Sequence, residues 1–150
     1  MSVYGGKITT ARKLAEHAME QLANFYPQMG DKWTREESLP GGDIANADFD
    51  GFLAQAKARY PWLPANICHH LARAYGTRIH ILLQDMASLE DMGQCFGNIL
   101  TETEIRYLIN HEFARSGEDI MWRRSKLGLH MTQEQRAAAN AATQTILAAL

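Results

Sequence analysis

The chain has 150 residues, 46% hydrophobic and 21% charged, a balance that supports one buried core and disfavours disorder. With 15 basic residues against 17 acidic ones the net charge is -2, so the bulk electrostatics call for neither nucleic acid nor an anionic membrane as partner. Cys68 and Cys95 are the only cysteines, no apolar run approaches the roughly 20 residues of a membrane span, and signal-peptide regions are absent, so the default setting is cytoplasmic.

The opening "SVYGGKITT", Ser2 to Thr10, reads as a short β-type run, two glycines, a lysine and two threonines able to cap a helix. Backbone N–H groups at a helix start are unpaired and carry partial positive charge. A strand, Gly5-Gly6, Lys7 and a helix in that order can therefore form a pocket for an anion: phosphate, carboxylate, or the pyrimidine edge of a reduced flavin. An ordinary capped helix after a Gly-Gly turn accounts for the same residues. Leu14, Ala18, Leu22 and Phe25 fall on one stripe of a helix beginning after Thr9 or Thr10, and Pro27 and Gly30 stop it. From Met29 to Asn46 the periodicity is lost, and "WTREESLPGGD" reads as a linker or docking loop.

Beyond residue 46 the pattern predicts short helices. Phe49, Phe52, Leu53, Ala56 and Tyr60 share a face that Pro61 ends. Pro64 suits a first turn, Ile67, Leu71, Ala74 and Tyr75 follow, and Gly76 supplies a left-handed end. Thr77 can cap "RIHILLQDM", and Ser88 can start a turn at "LEDM". Thr101 with Glu104 fits a capping box, with Ile105, Leu108, Ile109 and Phe113 on the buried face behind it. Ser116 can cap "GEDIMWRRSKL" with Gly128 as the stop, and Thr132 with Gln135 opens a last helix whose Ala139, Ala142, Ile146 and Leu150 share one side.

Several chemical motifs fail on spacing. A phosphate-binding P-loop needs a glycine five residues before its Gly-Lys and a Ser or Thr after it, and Met1 and Ile8 occupy those places. "HEFAR" lacks the second histidine of a zinc-protease helix, having Arg115 there. Cys68, His69 and His70 are consecutive and diverge around a helix, so no metal site is predicted. The basic run Arg123 to Lys126 suits the last turn of a helix, and Asp119 lies one turn before Arg123, a structural pairing.

The string "SVYGGKITTARKLAEHAM" resembles a segment of the FAD-dependent glycerol-3-phosphate dehydrogenases, where the pattern is Gly-Gly-Lys-Leu-Thr-Thr-Tyr-Arg. "LPGGD", "RYPWLP", "LARAYG" and "YLINHEFARSGEDIMWRRSKLGL" are similar, in the same order, to that family's C-terminal helical domain. The fold expected is all-α: a multi-helix cap preceded by a strand-loop-helix remnant of an FAD-binding domain. Residues 1–28 would close the FAD-binding domain, 29–46 link, and 47–150 form the cap. The Gly-x-Gly-x-x-Gly nucleotide fingerprint is absent, so the chain looks like the C-terminal portion of a larger enzyme, inactive alone and not expected to bind FAD alone.

For the parent, the resemblance implies oxidation of sn-glycerol 3-phosphate to dihydroxyacetone phosphate, hydride passing from C2 to FAD and electrons then to quinone. Gly5, Gly6, Lys7, Ile8, Thr9 and Thr10 match the cofactor-contacting segment, with Lys7 between flavin and substrate. Ile8 replaces the usual Leu and keeps its amide; Ala11 replaces the usual Tyr. Arg12, Asp119, Arg123 and Arg124 match as structural or interdomain residues, as do His111, Glu112 and Trp122. Partners implied are the rest of the FAD-binding domain, substrate and quinone, with peripheral membrane association on the inner face or self-association of the cap. The alternatives are an oxidase using oxygen and a helical interaction module without chemistry of its own.

Overall fold

The computed structural model describes residues 2, 4, 6–97 and 99–150. It divides into two compact units, Met1–Leu39 and Pro40–Leu150. No β-strand forms among the described residues; Lys7 is extended, with φ -89° and ψ 146°, and a single extended segment has no neighbour to complete a ladder.

The first unit is built on α1 (Ala11–Leu22), entered through a 3-10 turn at Ile8–Thr10 and left through another at Ala23–Phe25. Arg12 pairs with Glu16 one turn on at 2.6 Å, Glu16 also accepts from the Thr34 hydroxyl at 2.6 Å, and Lys32 pairs with Glu20. No described residue of this unit is buried: Ala18 and Leu22 are half-buried, and Leu14 and Phe25 are exposed. An amphipathic helix has nothing of its own to cover its apolar face in so short a unit.

The second unit holds the core. Asp48 caps α2 (Phe49–Arg59) by accepting from Gly51 N–H at 3.0 Å, and Phe52, Ala56 and Tyr60 are buried along it. α3 (Ala65–Tyr75) starts after Pro64 and buries Ile67, Cys68, Leu71 and Ala72; Ala74, expected on that face, is exposed, because the inward stripe widens from Ile67 and Leu71 toward Cys68 and Ala72 and leaves Ala74 on the other side. Thr77 does not cap the short α4 (Ile79–Leu82): it lies inside the 3-10 turn Gly76–Arg78, and its hydroxyl donates to Asp43. A turn at Glu90–Met92 follows, then α5 (Glu102–His111). Phe113 is 78% exposed rather than buried. The chain reverses after His111, with Ala114 N–H reaching back to the Leu108 carbonyl and Phe113 at φ +57°, which turns its ring out of the face that Ile105 and Leu108 occupy.

Ser116 accepts from Asp119 N–H at 3.2 Å to start a π-helical segment, Asp119–Arg124. Gly128 is not its stop. The helix ends where Lys126 turns left-handed at φ +61°, and Gly128 sits in the next turn, Leu127–His130, against the Trp122 ring. Thr132 and Gln135 form a reciprocal capping box at the start of α6 (Gln133–Ala148), which buries Ala139 and Ile146 and leaves Leu150 exposed beyond its end.

The Pro-Gly-Gly turn packs on the end of α3, where Gly41 carbonyl accepts from Thr77 N–H at 3.1 Å. Gly76 has φ +54° and ψ -135°, and a Cβ there would lie 1.8 Å from the Gly41 oxygen. Gly76→Ala is expected to cost about 2–3 kcal/mol, since both the backbone conformation and the contact exclude a methyl group. Urea unfolding of variant and parent chain measures it.

Two carboxylates act as local clasps. Asp119 accepts from Arg115 N–H at 2.9 Å, Ser116 Oγ at 3.1 Å and Arg123 at 3.0 Å; Asp91 accepts from the amides of Ala87 and Ser88 and from Ser88 Oγ. The Arg115 amide holds Asp119, and the Ala87 amide and Ser88 hold Asp91, below the ordinary 3.8. Depressed values mean that their stabilisation is full above 3.8 and disappears as pH falls through the lowered folded values. The urea midpoint is therefore expected to drop between pH 4 and pH 2, less steeply in Asp119→Asn.

Candidate functional site

Gly5 lies outside the described residues. Gly6 has φ +115°, and a Cβ there would meet Leu14 Cδ2 at 3.0 Å, so the turn before Lys7 is one that only glycine takes without strain. Lys7 is exposed and caps the 3-10 turn by position alone. Neither this turn nor α1 has a side-chain cap, contrary to the expectation for Thr9 and Thr10. Thr10 instead donates its hydroxyl to the Lys7 carbonyl at 3.0 Å, alongside its own N–H at 2.9 Å. The Ala11 N–H that opens α1 bonds to the Ile8 carbonyl, so the amides at the start of this segment with no acceptor among the described residues are those of Ile8 and Thr9. Ile8 and Thr9 are exposed beside them.

In the helical unit Asp119 and Arg123 form the i,i+4 pair already described, while Arg124 Nε donates to the Glu112 carbonyl at 2.5 Å and ties the π-helical segment to the end of α5. His111 stacks on Tyr107 at 4.9 Å, Glu112 accepts from Tyr107 OH at 3.3 Å and lies 3.9 Å from Arg78, and the Trp122 ring lies under Arg136 at 5.6 Å. Each of these side chains is engaged inside the unit.

The structure also shows a polar centre that the sequence reading missed. Glu104 completes only half of a capping box: its N–H bonds to Thr101 Oγ1 at 3.4 Å, but its carboxylate turns inward and is 0% exposed. Oε1 lies 2.8 Å from His70 Nε2 and accepts from Tyr75 OH at 2.6 Å; Oε2 is buried without a partner among the described residues. Burial, and then the neighbouring Glu104, push the Tyr75 hydroxyl well above its ordinary value, so it stays protonated and donates. A sequence signal existed: Glu104 shares its helix face with Tyr107 and Leu108 at i+3 and i+4, and Asn66, His69, His70 and Arg73 recur at i, i+3, i+4 and i+7 on α3.

Two clefts flank that centre. One, of about 270 Å³, is lined by Gly41, Ile44, Phe49, Arg73, Tyr75 and Arg78, with Glu112 beside Arg78. The other, of about 430 Å³, lies between α3 and the turn Leu127–His130.

Residues 32–150 match the family described as the C-terminal domain of alpha-glycerophosphate oxidase. The chain belongs to that family. Among relatives of the alpha-glycerophosphate oxidase family, D-erythritol 1-phosphate dehydrogenase of Brucella abortus is 46% identical over 138 residues, covering 92% of this chain and 28% of the relative. Aerobic glycerol-3-phosphate dehydrogenase of Escherichia coli is 42% identical over 137 residues, 91% of this chain and 27% of the relative. Glycerol-3-phosphate dehydrogenase of Pseudomonas aeruginosa is 43% identical over 136 residues, 91% of this chain and 26% of the relative. The chain therefore spans little more than a quarter of the length of these curated relatives. Each match is longer than 32–150 and so takes in part of residues 1–31. The family's all-α C-terminal domain agrees with the helices described above.

Proposed function

We propose that this chain is the C-terminal portion of an FAD-dependent polyol-phosphate dehydrogenase that oxidises sn-glycerol 3-phosphate to dihydroxyacetone phosphate and passes the electrons to quinone. Residues 1–28 then complete the FAD-binding domain, 29–46 link, and 47–150 cap it. The observation that carries the reading is the opening segment: a glycine at φ +115°, an exposed lysine, and a helix start without a side-chain cap. The exposed Leu14 and Phe25 support it, because an apolar helix face left in water loses about 25 cal/mol for each Å² it could bury.

These residues suit an anionic, flat cofactor edge. Gly6 takes the φ of +115° that the turn before Lys7 requires, with Leu14 against the space a Cβ would need, Lys7 supplies a full positive charge, and the amides of Ile8 and Thr9 open the 3-10 turn. Thr10 holds the Lys7 carbonyl and so fixes the loop. FAD, when bound, supplies the acceptor for the hydride leaving the substrate carbon. Lys7 holds negative charge next to it, on the cofactor edge or on a substrate oxygen. Arg12 is held by Glu16 and supports the helix rather than the ligand.

No helix among the described residues is long and apolar enough to cross a membrane. A quinone acceptor requires contact with the membrane that holds it, and we assign that contact to peripheral association of a cytoplasmic parent. Two observations favour second readings: the family description names an oxidase, and a relative at 46% identity is named for D-erythritol 1-phosphate. Anaerobic mixing of the full-length enzyme with each polyol phosphate decides. Rapid loss of the oxidised flavin absorbance with sn-glycerol 3-phosphate, followed by faster reoxidation with quinone than with oxygen, is expected. No bleaching with either substrate would overturn the assignment.

A further inference from the structure

The cleft between α3 and the turn Leu127–His130 is walled by side chains that offer hydrogen bonds and by no carboxylate. Asn66, His69, His70 and Arg73 enter it from one face of α3, and His130 faces them from the far wall. Among the described residues, Asn66, His69, Arg73 and His130 have no hydrogen-bond or ion-pair partner, although Arg73 and His69 are both braced on the Phe49 ring: the guanidinium stands 5.4 Å over it, and the imidazole meets it edge-on at 6.0 Å. Arg78, one turn beyond α3, differs in having Glu112 at 3.9 Å. Ser125 belongs to the wall without donating into the cleft, because its hydroxyl is given to the Ile120 carbonyl at 2.7 Å.

His70 is the member with an inner support. Its Nε2 is taken by the fully buried Glu104, which fixes the ring and leaves Nδ1 as its remaining polar atom. Buried carboxylates are expensive to keep, and one held behind a histidine that lines a cleft is the arrangement used to orient that histidine toward a ligand. The chemistry of the lining decides the ligand's sign. A cation would find no carboxylate there and, among the described residues, no three histidine, cysteine or acidic side chains that converge on a metal ion, and an apolar ligand would leave the Arg73 charge and several N–H groups unpaired. Donors on two facing walls suit a tetrahedral anion, which accepts from several directions, better than a flat carboxylate.

We propose that this cleft is a binding site for a phosphate-type oxyanion, held by Asn66, His70 and Arg73 of α3 and by His130 opposite. The site is independent of the Lys7 segment and of the reading given to it. Two sources share this chemistry, a soluble phosphate compound and a phosphate lipid headgroup.

The test is an NMR titration of the 150-residue chain with inorganic phosphate against chloride at matched ionic strength, following the histidine ring signals and Arg73 Nε. Saturable shifts confined to His69, His70, His130 and Arg73 are expected, unchanged in Lys7→Ala. Arg73→Gln is expected to weaken the binding about tenfold, and His130→Gln also to weaken it. Both positions are exposed, so spectra that otherwise overlay confirm an intact fold. Co-flotation with phosphatidylcholine vesicles only when they contain phosphatidic acid, lost in Arg73→Gln, assigns the anion to a headgroup; phosphate saturation without co-flotation assigns it to a soluble compound. Absence of both saturable shifts and co-flotation, or equal affinity in folded Arg73→Gln, overturns the site.

Discussion

Glu104→Ala is expected to destabilise the helical unit by about 3–5 kcal/mol, the size of effect seen when one partner of a buried pair is removed. Glu104 is 0% exposed, and its Oε1 receives both His70 Nε2 at 2.8 Å and Tyr75 OH at 2.6 Å, so one side chain satisfies two groups on α3 from α5. Deleting it strands the Tyr75 hydroxyl and the His70 ring and opens a cavity beneath α3. Glu104→Gln keeps an acceptor in the same place and is expected to lose only about 1 kcal/mol, the difference between a charge-assisted and a neutral hydrogen bond. Urea unfolding of the two variants beside the parent chain measures both. Equal losses for Ala and Gln would show that shape, not the accepted hydrogen bonds, is what α3 needs from this position.

Lys7→Ala in the full-length enzyme is expected to slow flavin reduction by substrate about 10²–10³-fold, the range found when one preorganised group stabilising developing charge is removed. FAD content is expected to stay near that of the parent, because Gly6 and the amides of Ile8 and Thr9 remain, and a single exposed lysine carries a small part of the binding of so large a cofactor. Lys7→Arg keeps the charge but changes its reach and shape, and an intermediate rate is expected. Anaerobic stopped-flow measurement with FAD content determined on the same samples separates the two quantities. An unchanged reduction rate in Lys7→Ala removes this lysine from the reacting centre.

The amino-acid sequence by itself determined the features that depend on neighbours in the chain. Thr101 before α5, Thr132 with Gln135 before α6 and Ser116 before the π-helical segment all cap as their spacing implies, because an N-cap bond closes within three residues. The 3.6-residue stripes of Phe52, Ala56 and Tyr60 and of Ile105 and Leu108 face the core for the same local reason. The ordered strings from "GGKITT" to "RRSKLGL" were enough to indicate the family to which residues 32–150 belong.

What the tertiary structure decided are the cases in which a distant contact outcompetes the local one. Thr77 turns to Asp43, thirty-four positions away, instead of capping α4. Glu104 had a local partner in the Thr101 cap, yet its carboxylate points inward, because His70 and Tyr75 on α3 offer two donors where water is excluded and an unmet donor is costly. Phe113 keeps its helical spacing on paper but leaves the core when the chain reverses after α5. The phosphate-type cleft is of the same kind: its α3 stripe is visible in the sequence, whereas His130 comes to face it only through the fold, since side chains sixty residues apart are brought together by packing alone.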